Sequence, residues 1–376
     1  MVTIPECVLW HMGKTLHGLA KEFDLTVAGE NVSRYADQFP HVSWIDIDIP
    51  RKTSPLRDLK ALIQLYWVCL RVRPHIVHSI MPKAGLLAAI AAWLARVPIR
   101  VHTFTGQVWA TKSGLPRRLY KLLDRLVVLL NTACLTDSPS QSRYLQREGI
   151  GSTGQPLPVL GHGSLIGVDL ERFDRERIQR HASVNRELLG LTENDLVISY
   201  IARKSRDKGA IDMLRGFALA REAAPHMRLL YIGPDESNGE LDELRVSQPN
   251  LFVSVIERGS VTNHEEYLLL SDVLCMPSYR EGFGSIVIDA AALGVPCIGS
   301  RIVGLTDSVV DGVTGLLHEA GSVMELSSLL LRIDEDRSLL ERLGFAACER
   351  ARTDFSSEIM TRHLIEFYLS AAKAIQ

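Results

Sequence analysis

Short apolar runs bounded by turn residues alternate with longer stretches whose apolar positions recur at helical spacing. In the first part of the chain "DLTVAG", "VSWIDI", "HIVHSI", "IRVHTF" and "ACLTDS" read as strands. Between most of them lie helix-length segments, among them Leu56–Arg71, Ala84–Arg96 and Leu115–Leu130. This β-α-β rhythm predicts a parallel sheet with helices on both faces. It lapses over Pro158–Asp174, which carries three glycines and no helical period and reads as a linker. A second series then begins: "DLVISYIAR", "RLLYIG", "LFVSVI", "DVLCMPS" and "PCIGS", again with helices between. From about Phe355 to Ile375 the spacing is helical and no strand follows. The expected fold class is α/β: two Rossmann-like doubly wound domains, residues 1–165 and 166–354, facing across a cleft, then a terminal helix over 355–376. Only "MVTIP" precedes the first helical pattern, so the first strand is expected to be very short, unless the start of the chain is trimmed.

One helix breaks its own pattern. "PSYREGFGSIVIDAAALGVPCIGS", Pro277–Ser300, holds a helix apolar on nearly every face, yet Asp289 lies inside it and Glu281 stands eight residues earlier. Gly294 and Pro296 end this helix, while Gly282 and Gly284 allow a tight turn before it. A helix start carries free N–H groups and can hold a phosphate. A buried carboxylate needs donors, from the protein or from ligand hydroxyls. Upstream, "ARKSRDKG" places Arg203 and Lys208 between a strand end and a helix start, a candidate diphosphate cradle or a charged surface loop. The loop Gly259–Asn263, which includes Val261, falls on the same strand-end side and offers backbone groups to a base.

Composition changes this picture in two places. Six scattered cysteines without a Cys-x-x-Cys pair argue against a zinc ribbon or disulfide scaffold and suit a reducing cytoplasm. The net charge of -2 hides an asymmetry, because residues 51–150 hold 16 Lys and Arg against 4 Asp and Glu. That imbalance suggests an anionic partner for one domain, or only solvated surface charge. Within it, Leu115, Leu119, Leu122, Leu126 and Leu130 share one helical face and Arg117, Lys121 and Arg125 form a stripe elsewhere. Such a helix either lies on an anionic membrane or faces a lipid diphosphate, or it turns its leucines to the core with a wet basic side. The longest apolar run, Ala84–Ala95, is too short to span a bilayer.

Together these residues resemble the retaining glycosyltransferases of family 4, or glycosyltransferase group 1, which have the GT-B fold. The family's Glu-x7-Glu signature reads here "PSYREGFGSIVIDAA", with Asp289 in the second acidic place, and "ARKSRDKG" looks like its Gly-Arg-…-Lys-Gly loop with Ala202 replacing the Gly. "HIVHSIMPKAGLLAAIAAWLARVPIRVHTFTGQVW", "DSPSQ" and "GSLIGVDLERFD" are similar to transferases of bacterial capsule and O-antigen assembly. The resemblance implies transfer of a sugar from a UDP-sugar to a glycan on undecaprenyl diphosphate, by a cytoplasmic protein peripheral to the inner membrane face. It also implies a C-terminal helix crossing back to the first domain.

By the same resemblance Arg203 and Lys208 would bind the donor diphosphate and Glu281 the hydroxyls of the transferred sugar. Asp289 would accept from the ribose hydroxyls, and the backbone of Phe283 and Gly284 with the helix start at Ser285 would complete the pocket. In "HTFTG", Thr105, beside Gly106, stands where many relatives have a His near the reacting centre. His102 is no substitute, since strand alternation puts it on the side of Phe104. A glycosyl phosphate that breaks leaves negative charge on the diphosphate, which fixed cations or a metal must meet. Arg203, Lys208 and the helix start supply cations, so no metal and no cofactor is expected. The Asp-x-Asp matches at Asp46–Asp48 and Asp334–Asp336 are taken as chance. No nucleic-acid partner is expected. Two rivals are a non-hydrolysing UDP-sugar epimerase and a non-catalytic nucleotide-sugar-binding component of an assembly complex.

Overall fold

The computed structural model describes residues 2–3, 8, 12–50, 54–151 and 155–374. The chain divides into two compact units, Met1–Gly167 with Ser357–Gln376, and Val168–Ser356.

The first unit runs β1 (Val2–Thr3), α1 (Gly13–Glu22), β2 (Thr26–Gly29), β3 (Ser43–Asp46), α2 (Pro55–Val72), β4 (Ile76–Ile80), α3 (Pro82–Leu94), β5 (Ile99–Phe104), α4 (Gly114–Leu130), β6 (Ala133–Thr136) and α5 (Pro139–Arg147). Its parallel sheet has the order β3-β2-β1-β4-β5-β6. The two-residue β1 aligns Val2 with Ala28 on one side and Ser79 on the other. Successive crossovers from β3 to β4, β5 and β6 all travel in one direction. With right-handed connections they place α2, α3 and α4 side by side on one face, and α1, whose crossover runs the other way, on the opposite face.

The second unit runs α6 (Arg175–His181), β7 (Leu196–Ile201), α7 (Ala210–Ala223), β8 (Met227–Ile232), α8 (Glu240–Ser247), β9 (Val255–Arg258), α9 (His264–Leu269), β10 (Val273–Met276), α10 (Ser285–Ala292), β11 (Cys297–Ser300), α11 (Leu305–Ser308), β12 (Gly315–His318), α12 (Val323–Glu335) and α13 (Arg337–Asp354). Its parallel sheet, β12-β11-β10-β7-β8-β9, repeats the first unit's order when counted from its own first strand. Both faces are covered. Along β10, Val273 and Cys275 enter one apolar cluster while Leu274 and Met276 enter the other. That is why these strands read as continuous apolar runs rather than alternating ones. Strand β12 is the one that the hydrophobic pattern did not single out.

Helix α14 (Ser357–Lys373) belongs to the first unit. It packs on α1, where Leu364 and Tyr368 meet Leu19. Gly18 gives the close approach: a Cβ there would lie 2.5 Å from Thr361 Cγ2.

Helix α4 decides between the two readings left open for it. Of the five leucines expected on one face, Leu115, Leu119 and Leu122 are exposed, as is Leu129 beside them, while Leu126 and Leu130 are half-buried, so the row does not face a core. Two cations of the basic stripe, Arg117 and Lys121, turn inward instead, and Arg125 stays exposed. Arg117 and Lys121 each donate to Glu148 at 2.7 Å and lie over the Trp109 ring, and Arg125 Nε donates to the carbonyl of Gly149 at 3.1 Å. Spacing set which residues share a face; the groups that chose its direction lie just after α5 and after β5, and spacing does not show them.

Candidate functional site

Open α/β sheets bind ligands beyond the carboxyl ends of their strands, at the point where strand order reverses. In the second unit that point lies between β7 and β10, which pair with each other while the chain leaves in opposite directions. The loop after β7 carries Arg203 and Lys208. The loop after β10 carries Glu281. The structure brings the two together: Lys208 Nζ donates to Glu281 Oε1 at 2.6 Å, and Ser278 Oγ donates to the same oxygen at 2.9 Å. Both side chains of the ion pair are largely covered, Glu281 at 8% and Lys208 at 18% exposure.

Backbone contacts lock this arrangement. Tyr279 N donates to Asp207 O at 2.9 Å, Tyr279 OH to Asp212 at 2.7 Å, and Arg280 reaches Asp207 at 3.2 Å. Gly209, at φ +65, sits so close that a Cβ would lie 1.9 Å from the carbonyl oxygen of Pro277. Arg203 stands on the same strand end, its carbonyl held by Tyr200 OH at 2.9 Å and its guanidinium paired with Glu236. The remaining cations here are structural. Lys204 is buried against Glu257, Arg258 O and the Tyr231 ring, and Arg206 pairs with Glu240.

Helix α10 starts beside Glu281. Gly284 caps it at φ +82, a left-handed conformation that L side chains rarely adopt, and Ser285 is its first residue. Gly304 backs the turn closely: a Cβ there would lie 2.4 Å from Gly282 O. The Phe283 side chain is a core residue, packed edge-on to Phe355 at 5.2 Å, so only its backbone is available to a ligand.

Asp289 lies one turn in and is only partly exposed. Among the described residues no donor bonds its carboxylate. The His264 ring stands beside it, Nε2 3.5 Å from Oδ2, and that nitrogen is itself buried without a hydrogen-bond partner. His264 opens α9, next to the loop that holds Val261. Arg172 pins this corner, donating to Thr262 O at 2.9 Å and to Glu265 at 2.7 Å. Val261 itself packs against a small apolar cluster. The acid at position 289 and the loop at Gly259–Asn263 thus meet through His264. Sequence reasoning did not single out Ser278, Glu236 or His264: Ser278 lies inside the stretch quoted around Glu281, Glu236 and His264 follow just after "RLLYIG" and Gly259–Asn263, and no periodicity marks any of them.

The remaining candidates lie in the first unit, after β5. Gly106 adopts φ +62, and the hydroxyl of Thr105 is buried with no hydrogen-bond partner. These two residues line a small recess with Gln107, Trp109, Tyr120 and Asp124. His102 is a core residue, edge-on to Phe104 at 4.5 Å and bonded through Nδ1 to Ser79 at 3.0 Å. Burial holds its pKa down at about 3. The Asp-x-Asp matches are taken up locally: Asp46 accepts from Ser33, Asp48 pairs with Arg57, Asp334 meets His226 and Arg337, and Asp336 caps α13.

Asp124 accepts from Trp109 Nε1 at 2.6 Å, and burial pushes its pKa up to about 6. A raised carboxyl pKa means that the native state binds the proton more tightly than the unfolded chain. Stability on this account falls as pH rises from about 4 to about 6. Asp124→Asn keeps an acceptor for the indole and removes the charge. We expect a higher Tm for this variant above pH 6 and convergence with wild type below pH 4, read by scanning calorimetry. A pH-independent difference would contradict it.

Two family models match the chain. A model described as "Glycosyl transferase 4-like domain" matches residues 8–155, and one described as "Glycosyl transferases group 1" matches residues 183–350. The chain is 28% identical over 374 residues to the capsular polysaccharide biosynthesis glycosyltransferase CapM of Staphylococcus aureus, covering 98% of this chain and 95% of CapM. It is 27% identical to the UDP-Gal:alpha-D-GlcNAc-diphosphoundecaprenol alpha-1,3-galactosyltransferase of Escherichia coli, over 77% of this chain and 74% of that one. Among solved structures it resembles Anabaena Alr3699/HepE in complex with UDP and glucose, with TM-score 0.75 and 18% identity over 96% of both chains. It also resembles the sucrose-phosphate synthase of Thermosynechococcus elongatus, with TM-score 0.78 and 21% identity over 96% of this chain and 92% of that one. The fold is GT-B, with two parallel α/β domains.

Proposed function

Given that the chain belongs to the group 1 glycosyl transferases, we propose that it moves a sugar from a UDP-sugar to an undecaprenyl-diphosphate-linked glycan with retention of anomeric configuration. The observation that carries this reading is the preformed Lys208–Glu281 pair at the strand-order reversal, beside the glycine-turned start of α10. A nucleotide sugar places its diphosphate at the cations and the helix start, where negative charge grows as the glycosyl bond breaks. Glu281, anchored by Ser278, faces the hydroxyls of the sugar. Asp289, which lacks a protein donor among the described residues, takes the two ribose hydroxyls. The acceptor hydroxyl attacks on the face that the phosphate leaves, and the departing phosphate oxygen takes its proton. Thr105 and Gly106, in the first unit, are proposed to bind substrate.

One relative's name carries a diphosphoundecaprenol acceptor and another's capsular polysaccharide biosynthesis, which support a lipid-linked acceptor and a role in capsule synthesis; O-antigen (lipopolysaccharide) synthesis is the other setting proposed. The chain would work as a peripheral protein at the inner membrane face, without metal or cofactor. The test is a screen of UDP-sugars with undecaprenyl-diphosphate-linked saccharides, with and without EDTA, following UDP release, product mass and anomeric configuration. Acceptor-dependent UDP release with an α-linked product from an α-linked donor is the expected result. An inverted product, loss of turnover in EDTA, or isomerised UDP-sugar formed without acceptor would each overturn the corresponding part. For the ribose contact, Asp289→Ala is expected to weaken UDP binding about 10-fold or more by calorimetry, since two hydroxyls lose a charged acceptor. Unchanged affinity would remove Asp289 from the site.

A further inference from the structure

We propose that the outer face of α2, α3 and α4 is a membrane-docking surface that inserts apolar side chains into an anionic bilayer. The reading rests on exposure. Helix α2 buries Ala61, Leu65 and Cys69 on one side, yet its opposite side presents Leu56, Leu59, Ile63, Trp67 and Leu70 to solvent. Leu56 is 84% exposed and Trp67 63%. Helix α4 presents Leu115 and Leu129, 77% and 78% exposed, together with Leu119 and Leu122. Helix α3, which packs against both, adds Trp93 and Leu94 at its end. Soluble surfaces scatter single apolar residues; rows of leucine with tryptophan on neighbouring helices mark an interaction site. Amphipathic helices lying in a membrane interface have this composition, with indoles at the headgroup level.

Charge selects a bilayer as the occupant. All four carboxylates of residues 51–150 are engaged or buried away from this face. Asp58 pairs with Lys83 at 2.8 Å, Asp124 accepts from Trp109, Glu148 takes Arg117 and Lys121, and Asp137 is buried. Arg71, Arg73, Arg96 and Arg118 remain exposed, with no carboxylate partner among the described residues. A surface of leucines, indoles and free arginines matches anionic headgroups over acyl chains, whereas a second copy would bring like charges together. Arg117 and Lys121 are not the contact, since both are spent on Glu148, whereas Arg125 is exposed with its Nε on the carbonyl of Gly149. The attachment proposed is interfacial, by the exposed faces of α2 and α4; among the described residues no helix is long and apolar enough to cross a membrane.

This surface deepens the reading of a membrane-borne acceptor and rests on it, but its test needs neither donor nor acceptor. The full chain is floated with phosphatidylcholine vesicles, with and without about 30% phosphatidylglycerol. Wild type should bind the anionic vesicles and keep a substantial fraction bound in about 0.5 M salt, where exposed charges are screened. Trp67→Gln combined with Leu122→Gln should lower vesicle affinity about 10-fold or more while leaving Tm and turnover on a water-soluble acceptor unchanged. Absence of wild-type binding, equal binding by the variant, or a wild-type dimer that the variant converts to monomer without change in vesicle binding would overturn the proposal. Vesicle binding without any sugar transfer would keep the surface and remove the function proposed above.

Discussion

Lys208→Ala should lower kcat/KM for sugar transfer by about 10²- to 10³-fold, the size of effect seen when one preorganised charge-stabilising donor is lost. The expectation follows from where the ammonium is held. Its 2.6 Å bond to Glu281 fixes it at the strand-order reversal before any donor arrives, so no reorganisation is needed when the diphosphate departs. The loss should fall mainly in kcat, because the charge that Lys208 meets grows in the transition state. Removing one partner of a covered ion pair also leaves the other charge uncompensated, at a cost of roughly 3–5 kcal/mol when fully buried and less here, where Lys208 keeps some exposure. Stability is therefore measured beside activity. Lys208→Ala combined with Glu281→Gln should recover Tm but not turnover. A single variant with wild-type kcat would exclude Lys208 from leaving-group stabilisation, whatever its stability.

Gly209→Ala should destabilise the second unit by about 3–5 kcal/mol and lower Tm by roughly 10 °C, with loss of activity. Two costs add at this position. The left-handed backbone, φ +65, disfavours any side chain by about 1–2 kcal/mol. The new Cβ would also lie 1.9 Å from Pro277 O, a backbone atom that cannot rotate away. Gly190 separates these costs. It has nearly the same φ, +66, but a Cβ there would meet no heavy atom within 4 Å, so Gly190→Ala should carry only the first. If thermal unfolding shows the two alanine variants equally stable, the contact between the Lys208 and Glu281 loops does not hold the site together.

Much of this was readable in the residues because it is local. The runs "DLVISYIAR" and "DVLCMPS" carry apolar residues at successive rather than alternate positions because β7 and β10 are covered on both faces, and a buried strand has no solvent side to show. Gly284 and Gly294 bounded α10 correctly, since a left-handed φ at each end demands glycine whatever surrounds it. The spacing also placed Asp289 on α10, about one turn inside its start, with Glu281 just outside that start. What spacing cannot supply is the partner across the sheet. That Lys208 reaches Glu281, 73 positions away, depends on β7 and β10 being neighbours. That His264 stands beside Asp289 depends on the packing of α9 against α10.

Helix α4 marks the same boundary most sharply. Its sequence determined that five leucines share a face and that three cations lie elsewhere, because 3.6 residues per turn is a property of the backbone. Which face looks outward was decided by Glu148, Trp109 and the carbonyl of Gly149, groups that only the folded unit brings within reach. A row of leucines reads the same whether it meets a core or a bilayer. The free energy of turning it depends on the acceptors waiting behind the other face, and those are set by tertiary structure.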